Sequence, residues 1–174
     1  MKFNNPKISI ITPVYNQVKY IEATIQSVLA QNYTNLEYII VDGGSKDGTL
    51  EIIKKYESHI TKWISEPDNG MYDALHKGFA LSTGEIMGWI NSDDILLPNA
   101  LNEVSKVFHD LQTVSWIQGL HTLIDLKGNI IEVSKPRKFS QLQFLNNDYM
   151  WIQQESTYWR RSLWEKAGAK INTS

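Results

Sequence analysis

The sequence predicts an α/β fold, a three-layer α/β/α arrangement around a mainly parallel central sheet, with a more β-like C-terminal part. Three observations carry this. Short β-branched runs alternate with segments of helical apolar spacing as far as about residue 112, and strands separated by helices pair in parallel with both sheet faces covered. Several of these runs end on small or polar loops, at residues 12–16, 42–45 and 91–94. Beyond residue 112 the alternation gives way to short strand-like runs separated by turn residues.

In chain order, residues 8–11 form a β-branched run that stops at Thr12-Pro13, and Ile21, Ile25, Val28 and Leu29 then mark one face of a helix. Residues 36–41 form a second strand. Asp47 or Thr49 suits the cap of a helix that buries Leu50, Ile53 and Tyr56. Residues 63–65 read as a short third strand before the turn at 66–70, and a helix through Tyr72, Leu75, His76 and Phe79 ends near Gly84. The apolar run 86–90, bounded by Gly84 and by polar residues, reads as a buried strand. Pro98 suits the first turn of the next helix, whose apolar face is Leu101, Val104, Val107 and Phe108. In the C-terminal part, residues 116–118 read as a strand, 121–124 with 130–133 as a hairpin, and 140–145 as a short helix. Residues 151–159 read as a strand and 162–167 as a helix stopped by Gly168.

Length and composition set bounds on function. A chain of 174 residues is long enough for one domain with a real core and too short for two comfortable ones. Hydrophobic residues make up 42%, charged residues 21%, and the net charge is −2, which speaks against disorder and against nucleic acid as a partner. The absence of cysteine excludes disulfides, thiolate zinc sites and cysteine nucleophiles, and fits a reducing, cytoplasmic compartment. The first six residues lack the apolar core of a signal peptide, and no stretch approaches the roughly 18 apolar residues of a membrane span. A soluble or at most peripheral protein is expected.

The chemistry concentrates at Asn91-Ser92-Asp93-Asp94, two adjacent carboxylates directly after the apolar run. Ligands of open α/β sheets bind outside the carboxyl ends of the strands. Neighbouring carboxylates repel, so a cation is their natural partner, and oxygen ligands suit a hard ion such as Mg²⁺ or Mn²⁺. The same acids equally suit a helix cap. If the strands are parallel neighbours, the loops at 12–16, 42–45 and 91–94 converge on one edge. Asp42 with Gly43 then supplies a carboxylate for a base or ribose and room for close approach, although Asp-Gly-Gly-Ser is also a plain turn sequence. Residues 43–49 have the outline of a P-loop without its Lys-Ser or Lys-Thr, and no G-x-G-x-x-G follows the first strand. Neither an ATPase nor a dinucleotide dehydrogenase is supported.

Four motifs in order make the reading specific: Ile-Ile-Thr-Pro-Val-Tyr-Asn at 10–16, Ile-Val-Asp-Gly-Gly-Ser-Lys-Asp-Gly-Thr at 40–49, Asp-Asn-Gly-Met-Tyr-Asp-Ala-Leu-His-Lys-Gly at 68–78, and Gly-Glu-Ile-Met-Gly-Trp-Ile-Asn-Ser-Asp-Asp at 84–94. Together they resemble glycosyltransferase family 2, over roughly residues 7–168 and most strongly up to Pro98. The resemblance implies a GT-A (Rossmann-like) fold and a bacterial hexosyltransferase of polysaccharide or lipopolysaccharide biosynthesis. It implies a UDP-sugar donor, Mg²⁺ or Mn²⁺, inversion at the anomeric carbon, and a saccharide or lipid-linked acceptor. Residues 7–112 would be the nucleotide-sugar-binding half of a single domain over 1–174, and 113–174 a partial, truncated acceptor half.

Carried over residue by residue, Thr12, Pro13 and Tyr15 lie against the base, Asp42 accepts from it or its ribose beside Gly43, and Asp68 lies near the nucleotide. Asn91, Ser92 and Asp93 stand at the family's metal-binding Asp-x-Asp, with the metal on Asp93 and with Asp94 as alternative or helper. Asn91 replaces the first acid and can ligate through its carbonyl oxygen. Lys77 and His76 could reach the diphosphate or sugar; helix packing serves equally for His76, and a solvated surface role is favoured for Lys77.

The acceptor hydroxyl needs a carboxylate base on the far face of the sugar from the diphosphate. Relatives commonly take it from an acidic motif after the segment that resembles residues 153–161, and the stretch that tends to follow the Gly168 position in them is not found here. The usual base is therefore expected to be absent, with donor binding retained and transfer weak or lacking. Glu155, the one acid inside that segment, is the candidate base, or else a partner for Arg160 or Arg161. An inactive nucleotide-binding or assembly module is the alternative. A nucleotidyltransferase is disfavoured because residues 12–16 carry no Gly-rich basic loop. Peripheral membrane association and a homo-oligomer formed over apolar surface at Trp151, Trp159 and Trp164 are both consistent with the reading.

Overall fold

Seven consecutive buried residues make strand β1 (Ile8–Val14) the centre of the sheet. The computed structural model describes residues 5–125, 127–135, 138, 140–146 and 152–171. On one side β1 pairs in parallel with β2 (Leu36–Asp42), and on the other with β4 (Ile86–Trp89). Strand β3 (Lys62–Ser65) extends the sheet beyond β2, also in parallel. Past β4 come β8 (Thr157–Arg160), which is antiparallel to it, and then β5 (Trp116–Gln118), giving the order β3-β2-β1-β4-β8-β5. Strands from both parts of the chain therefore share one sheet.

Because side chains alternate along a strand, β1 and β2 feed two separate cores. Ile8, Ile10, Tyr38 and Ile40 pack with helices α1 (Ile21–Leu29), α2 (Thr49–Lys55) and α4 (Ala100–Asp110), through Ile21, Ile25, Val28, Ile53, Leu101, Val104 and Phe108. Ile11, Ile39, Val41 and Met87 pack on the opposite face with Ala74, Leu75 and Phe79 of α3 (Met71–Leu81). This is the three-layer α/β/α arrangement. Helix α3 lies close to the sheet because Gly78 has no side chain: a Cβ there would stand 2.3 Å from Ile11 Cγ2. At the opposite edge from the strand ends, buried Glu37 gathers Lys7 Nζ at 2.7 Å, the Thr83 amide at 2.6 Å, the Thr83 hydroxyl at 2.7 Å and the Ser9 hydroxyl.

Three local expectations are corrected. Neither Asp93 nor Asp94 caps α4, which begins at Ala100 after Asn99 in the left-handed region (φ 67°), and Pro98 stands before the helix. The intervening loop is pinned to α1 instead: Thr24 Oγ1 donates to Asp94 O (2.8 Å), Leu96 N to Ser27 Oγ (3.0 Å) and Gln31 Nε2 to Leu97 O (3.0 Å). At the start of α2 neither Asp47 nor Thr49 is the cap, which is Gly48 in the left-handed region (φ 103°), and Asp47 instead accepts from the amides of Thr49 and Val18, tying this turn to the loop after β1. Finally, Gln154–Ser156 form a 3₁₀ turn and the strand begins only at Thr157. The hydroxyls of Ser156 and Thr157 donate back to Gln153 O, a local alternative to the ladder. Trp151, expected in that strand, lies outside the described residues.

Strands β6 (His121–Ile124) and β7 (Ile130–Ser134) form a separate two-stranded sheet, turned at Asp125, which accepts from the amides of Lys127 and Asn129. The short helix α5 (Gln141–Leu145) follows, and α6 (Arg161–Lys166) closes the described chain. Trp159 and Trp164, expected to leave apolar surface open, are half-buried and pack on Phe79 with ring centroids 5.5 and 5.3 Å apart. Among the described residues no helix is long and apolar enough to cross a membrane.

Candidate active site

The carboxyl ends of the parallel strands β3, β2, β1 and β4 meet at one edge of the sheet, where such folds bind ligands. A cleft of about 720 Å³ opens there. Pro13, Tyr15 and Gln17 line it from the loop after β1, Gly43 from the loop after β2, Asp68, Met71 and Ala74 from the approach to α3 and α3 itself, and Asn91, Ser92 and Asp93 from the loop after β4. Seven of the residues expected at a nucleotide thus come together: Pro13, Tyr15, Gly43, Asp68, Asn91, Ser92 and Asp93. The chain at Gly43 passes close beside the Asp68 carboxylate: a Cβ there would stand 2.7 Å from Asp68 Oδ2. Asp68 is held in place by the Gly70 amide, which donates to its Oδ1 at 2.8 Å.

Thr12, Asp42 and Lys77 are placed elsewhere. Thr12 is fully buried, 3.1 Å from the Tyr38 hydroxyl. Asp42 is fully buried beneath its own loop, accepting from the amides of Gly44 and Ser45 (3.0 Å each), from Ser65 Oγ (2.6 Å) and from Ser45 Oγ. Three of these donors converge on Oδ2 and one on Oδ1, so the side chain is turned to shaping the loop that presents Gly43. Ser45 Oγ in turn accepts from the Asn16 amide at 2.8 Å, tying the loops after β1 and β2 together. The Lys77 ammonium pairs with Glu66 at 2.9 Å and Asp73 at 3.5 Å, and the Glu66 carboxylate above all holds its pKa up. His76 is half-buried on α3, with its Nδ1 lacking a partner among the described residues.

At the tip the two acids part company. Asp93 is exposed, and among the described residues its carboxylate makes no hydrogen bond or ion pair. Asp94 is half-buried and accepts from Gln154 Nε2 at 2.9 Å. Burial first, and then the neighbouring Asp93 charge, push the Asp94 carboxyl up, while hydrogen bonds from the Asn91 and Gln154 side chains and the nearby His121 pull it back. Among the described residues no group of three His, Cys, Asp or Glu is arranged to hold a metal by itself. The donor set fits an ion that keeps most of its coordination for phosphates and water, as Mg²⁺ does.

A second cavity, of about 920 Å³, adjoins the tip, and Asp93 lines both. Asp94, His121, Gln154 and Glu155 form its polar end. Glu155 stands in the 3₁₀ turn before β8, half-buried; burial above all raises its pKa, a backbone hydrogen bond opposes it, and the charge of Asp94 adds to the rise more than that of His121 offsets it. Its expected pairing with an arginine is not found. Arg160 reaches Glu85 (2.9 Å) and the Val114 carbonyl (2.8 Å), and Arg161 the Gly84 carbonyl (2.7 Å) and Ser82 Oγ (2.9 Å). Gln17, Met71, Ala74, Gln154 and His121 were not singled out by sequence reasoning. The paired amides Gln153-Gln154 directly before the acid were the available signal for one of them.

The sheet order and the acid-tipped rim define a GT-A fold. The chain belongs to glycosyl transferase family 2, whose family model matches residues 9–163. It is similar to an uncharacterized glycosyltransferase of Mycobacterium tuberculosis, 30% identical over 167 residues, covering 94% of this chain and 62% of that protein. An uncharacterized glycosyltransferase of Rickettsia conorii is 36% identical over 142 residues, covering 80% of this chain and 23% of that protein. The chain thus spans from under a quarter to under two thirds of these relatives' length. Among solved structures, a mannosyltransferase from Pyrobaculum calidifontis in complex with GDP-Man and Mn²⁺ superposes with a TM-score of 0.69 at 21% identity, over 95% of this chain and 47% of that one. S. aureus TarS 1-349 in complex with UDP-GlcNAc gives 0.67 at 23%, over 95% and 48%. At these identities the superpositions establish the fold.

Proposed function

We propose that this domain is an inverting glycosyltransferase that moves a sugar from a nucleoside-diphosphate donor, a UDP-sugar, to an acceptor hydroxyl. The observation that carries the reading is the position of Asp93, which lines the strand-edge cleft on one side and the cavity bearing Glu155 on the other. The nucleotide lies in the first cleft, between Tyr15, Gly43 and Asp68, and the acceptor enters from the second. Asp93 would hold a divalent cation, Mg²⁺ or Mn²⁺, with Asp94 and Asn91 behind it; when bound, such an ion offsets the charge that grows on the leaving diphosphate. That solved neighbours are described with GDP-Man and Mn²⁺ or with UDP-GlcNAc supports a nucleotide-sugar donor for this chain too.

Glu155 is the base. Its raised pKa suits proton acceptance, and the described arginines nearest in sequence, Arg160 and Arg161, are engaged with other groups. The acceptor oxygen attacks the anomeric carbon as its proton passes to Glu155, and the bond from that carbon to the diphosphate oxygen breaks with its electron pair leaving on the diphosphate. Attack from the side opposite the leaving group inverts the centre. Glu155 would stand in for the usual base, which is still expected to be absent. It is tested by following UDP release from UDP-glucose and UDP-GlcNAc, with water as the default acceptor: slow release that depends on Mn²⁺, Asp93 and Glu155 is expected. UDP bound tightly but never released from either sugar, with and without candidate acceptors, would favour the inactive-module alternative.

A further inference from the structure

The loop between β3 and α3 is short, residues 66–70, and its Pro67 and Asp68 line the donor cleft. It is held differently from its neighbours. The loops after β1 and β2 grip each other: the amides of Asn16, Gln17 and Val18 donate in turn to Ser45 Oγ, Thr49 Oγ1 and Asp47 Oδ2, at 2.8, 2.9 and 3.0 Å. The loop after β3 is rooted on β2, where the Glu66 amide donates to Asp42 O at 3.0 Å, and is then clamped from helix α3.

Asp73 and Lys77 are four residues apart, hence neighbours on one face of that helix. Asp73 Oδ2 accepts from the Asn69 amide at 3.0 Å and lies 3.5 Å from Lys77 Nζ, which reaches back to Glu66 Oε1 at 2.9 Å. The Asn69 amide above all holds the Asp73 carboxyl below its ordinary pKa, so the clamp is charged at neutral pH. Asp68 thus stands between two anchored points, Glu66 and Asn69. Among the described residues its carboxylate accepts from the Gly70 amide alone, a bond within the same loop, so nothing else fixes its direction. Neither Asp73 nor Lys77 lines the cleft. We infer that both are positioning residues for the donor: they hold the loop so that Asp68 faces the nucleotide, and they act on affinity through Asp68 rather than by contact. This rests on the reading of the strand-edge cleft as the nucleotide site.

The test is a double-mutant cycle on the whole chain, read by calorimetry of UDP in the presence of Mn²⁺. Asp73→Ala should weaken binding about 10-fold, the worth of a hydrogen bond to a charged group, and Lys77→Met about 2- to 5-fold, as for a partly exposed ion pair. Asp73→Asn keeps an oxygen for the Asn69 amide and should regain most of the loss, as Lys77→Arg should at its own position. In an Asp68→Ala background, itself weaker than the wild type, Asp73→Ala and Lys77→Met should each change affinity less than about twofold, because their route to the nucleotide is gone. Losses that simply add to that of Asp68→Ala overturn the inference, and place Lys77 on the diphosphate or Asp73 in the general stability of α3. Unchanged affinity in Asp73→Ala overturns it too. Should Asp73→Ala disturb folding by circular dichroism, Lys77→Met and Lys77→Arg decide through the same cycle. Additive losses with UDP bound by the wild type sink this inference alone, whereas a wild type that does not bind UDP sinks the proposed function with it.

Discussion

The two sides of Asp93 are built by opposite means. On the donor side the cleft is made by strand ends and by main chain: the loop carrying Gly43 is folded over Asp42 by four hydrogen bonds, and Ser45 ties it to the loop after β1. On the acceptor side the walls are side chains, many from a hairpin that forms its own two-stranded sheet and keeps Leu123, Ile130 and Val133 open. The contrast teaches where change is tolerated. A main-chain cradle braced by buried carboxylates admits few substitutions, whereas open apolar positions on a peripheral hairpin can be exchanged with little cost to the fold. On the proposed function, donor chemistry is thereby separated from acceptor choice.

Breaking the acceptor side at its acid has the largest expected effect. Glu155→Gln should lower UDP release from a UDP-sugar by roughly 10²- to 10⁴-fold, the usual worth of a positioned base, with UDP affinity unchanged; comparable release by wild type and variant would remove Glu155 from the chemistry.

The donor half should answer to pH through its foot. Burial pushes the Glu37 carboxyl up, but Lys7, Ser9 and both donors of Thr83 outweigh it and hold its pKa at about 2 against an ordinary 4.5. A depressed folded-state value stabilises the fold above the unfolded pKa, and that contribution is lost as pH falls from about 4.5 towards 2. A shift of this size is worth about 3 kcal/mol. Denaturant unfolding of Glu37→Gln between pH 7 and pH 3 should show a much smaller loss of stability than the wild type; parallel curves would show that Glu37 is not the titrating brace.

The seam between the halves gives the smallest change. A Cβ at Gly88 of β4 would stand 2.7 Å from Cδ1 of the Tyr158 ring of β8. Gly88→Ala should therefore cost about 1–3 kcal/mol in thermal unfolding, as overpacking generally does. An unchanged melting temperature would mean that β8 yields freely and that the two sides are less firmly joined than the shared sheet suggests.

Much of the donor edge was legible because its signals are local. Alternating strands and helices, and polar tips on β1, β2 and β4, predict both the parallel sheet and the convergence of its loops. Gly43 and Asp93 follow from the strand-end motifs themselves, and Tyr15 and Asp68 from the family resemblance that the four motifs carry. Asp42 was read as facing a ligand because sequence shows a carboxylate beside glycines, but not that Ser65, 23 residues on, occupies it. The acceptor side was hidden for the same reason. Gln154 meets Asp94 across 60 residues, and Glu155 leaves the strand because Ser156 and Thr157 bond back to Gln153. Only the sheet order brings β8 beside β4, and with it Glu155 beside the tip.

The central claim, that donor and acceptor chemistry divide at Asp93, is tested most directly by titrating UDP in the presence of Mn²⁺ into Asp93→Asn and Glu155→Gln side by side. Partners that merely orient metal ligands are already worth roughly 10- to 100-fold, so Asp93→Asn should weaken binding at least about 100-fold while Glu155→Gln binds as the wild type does. Equal binding by both variants, or loss of binding in Glu155→Gln, would contradict the division.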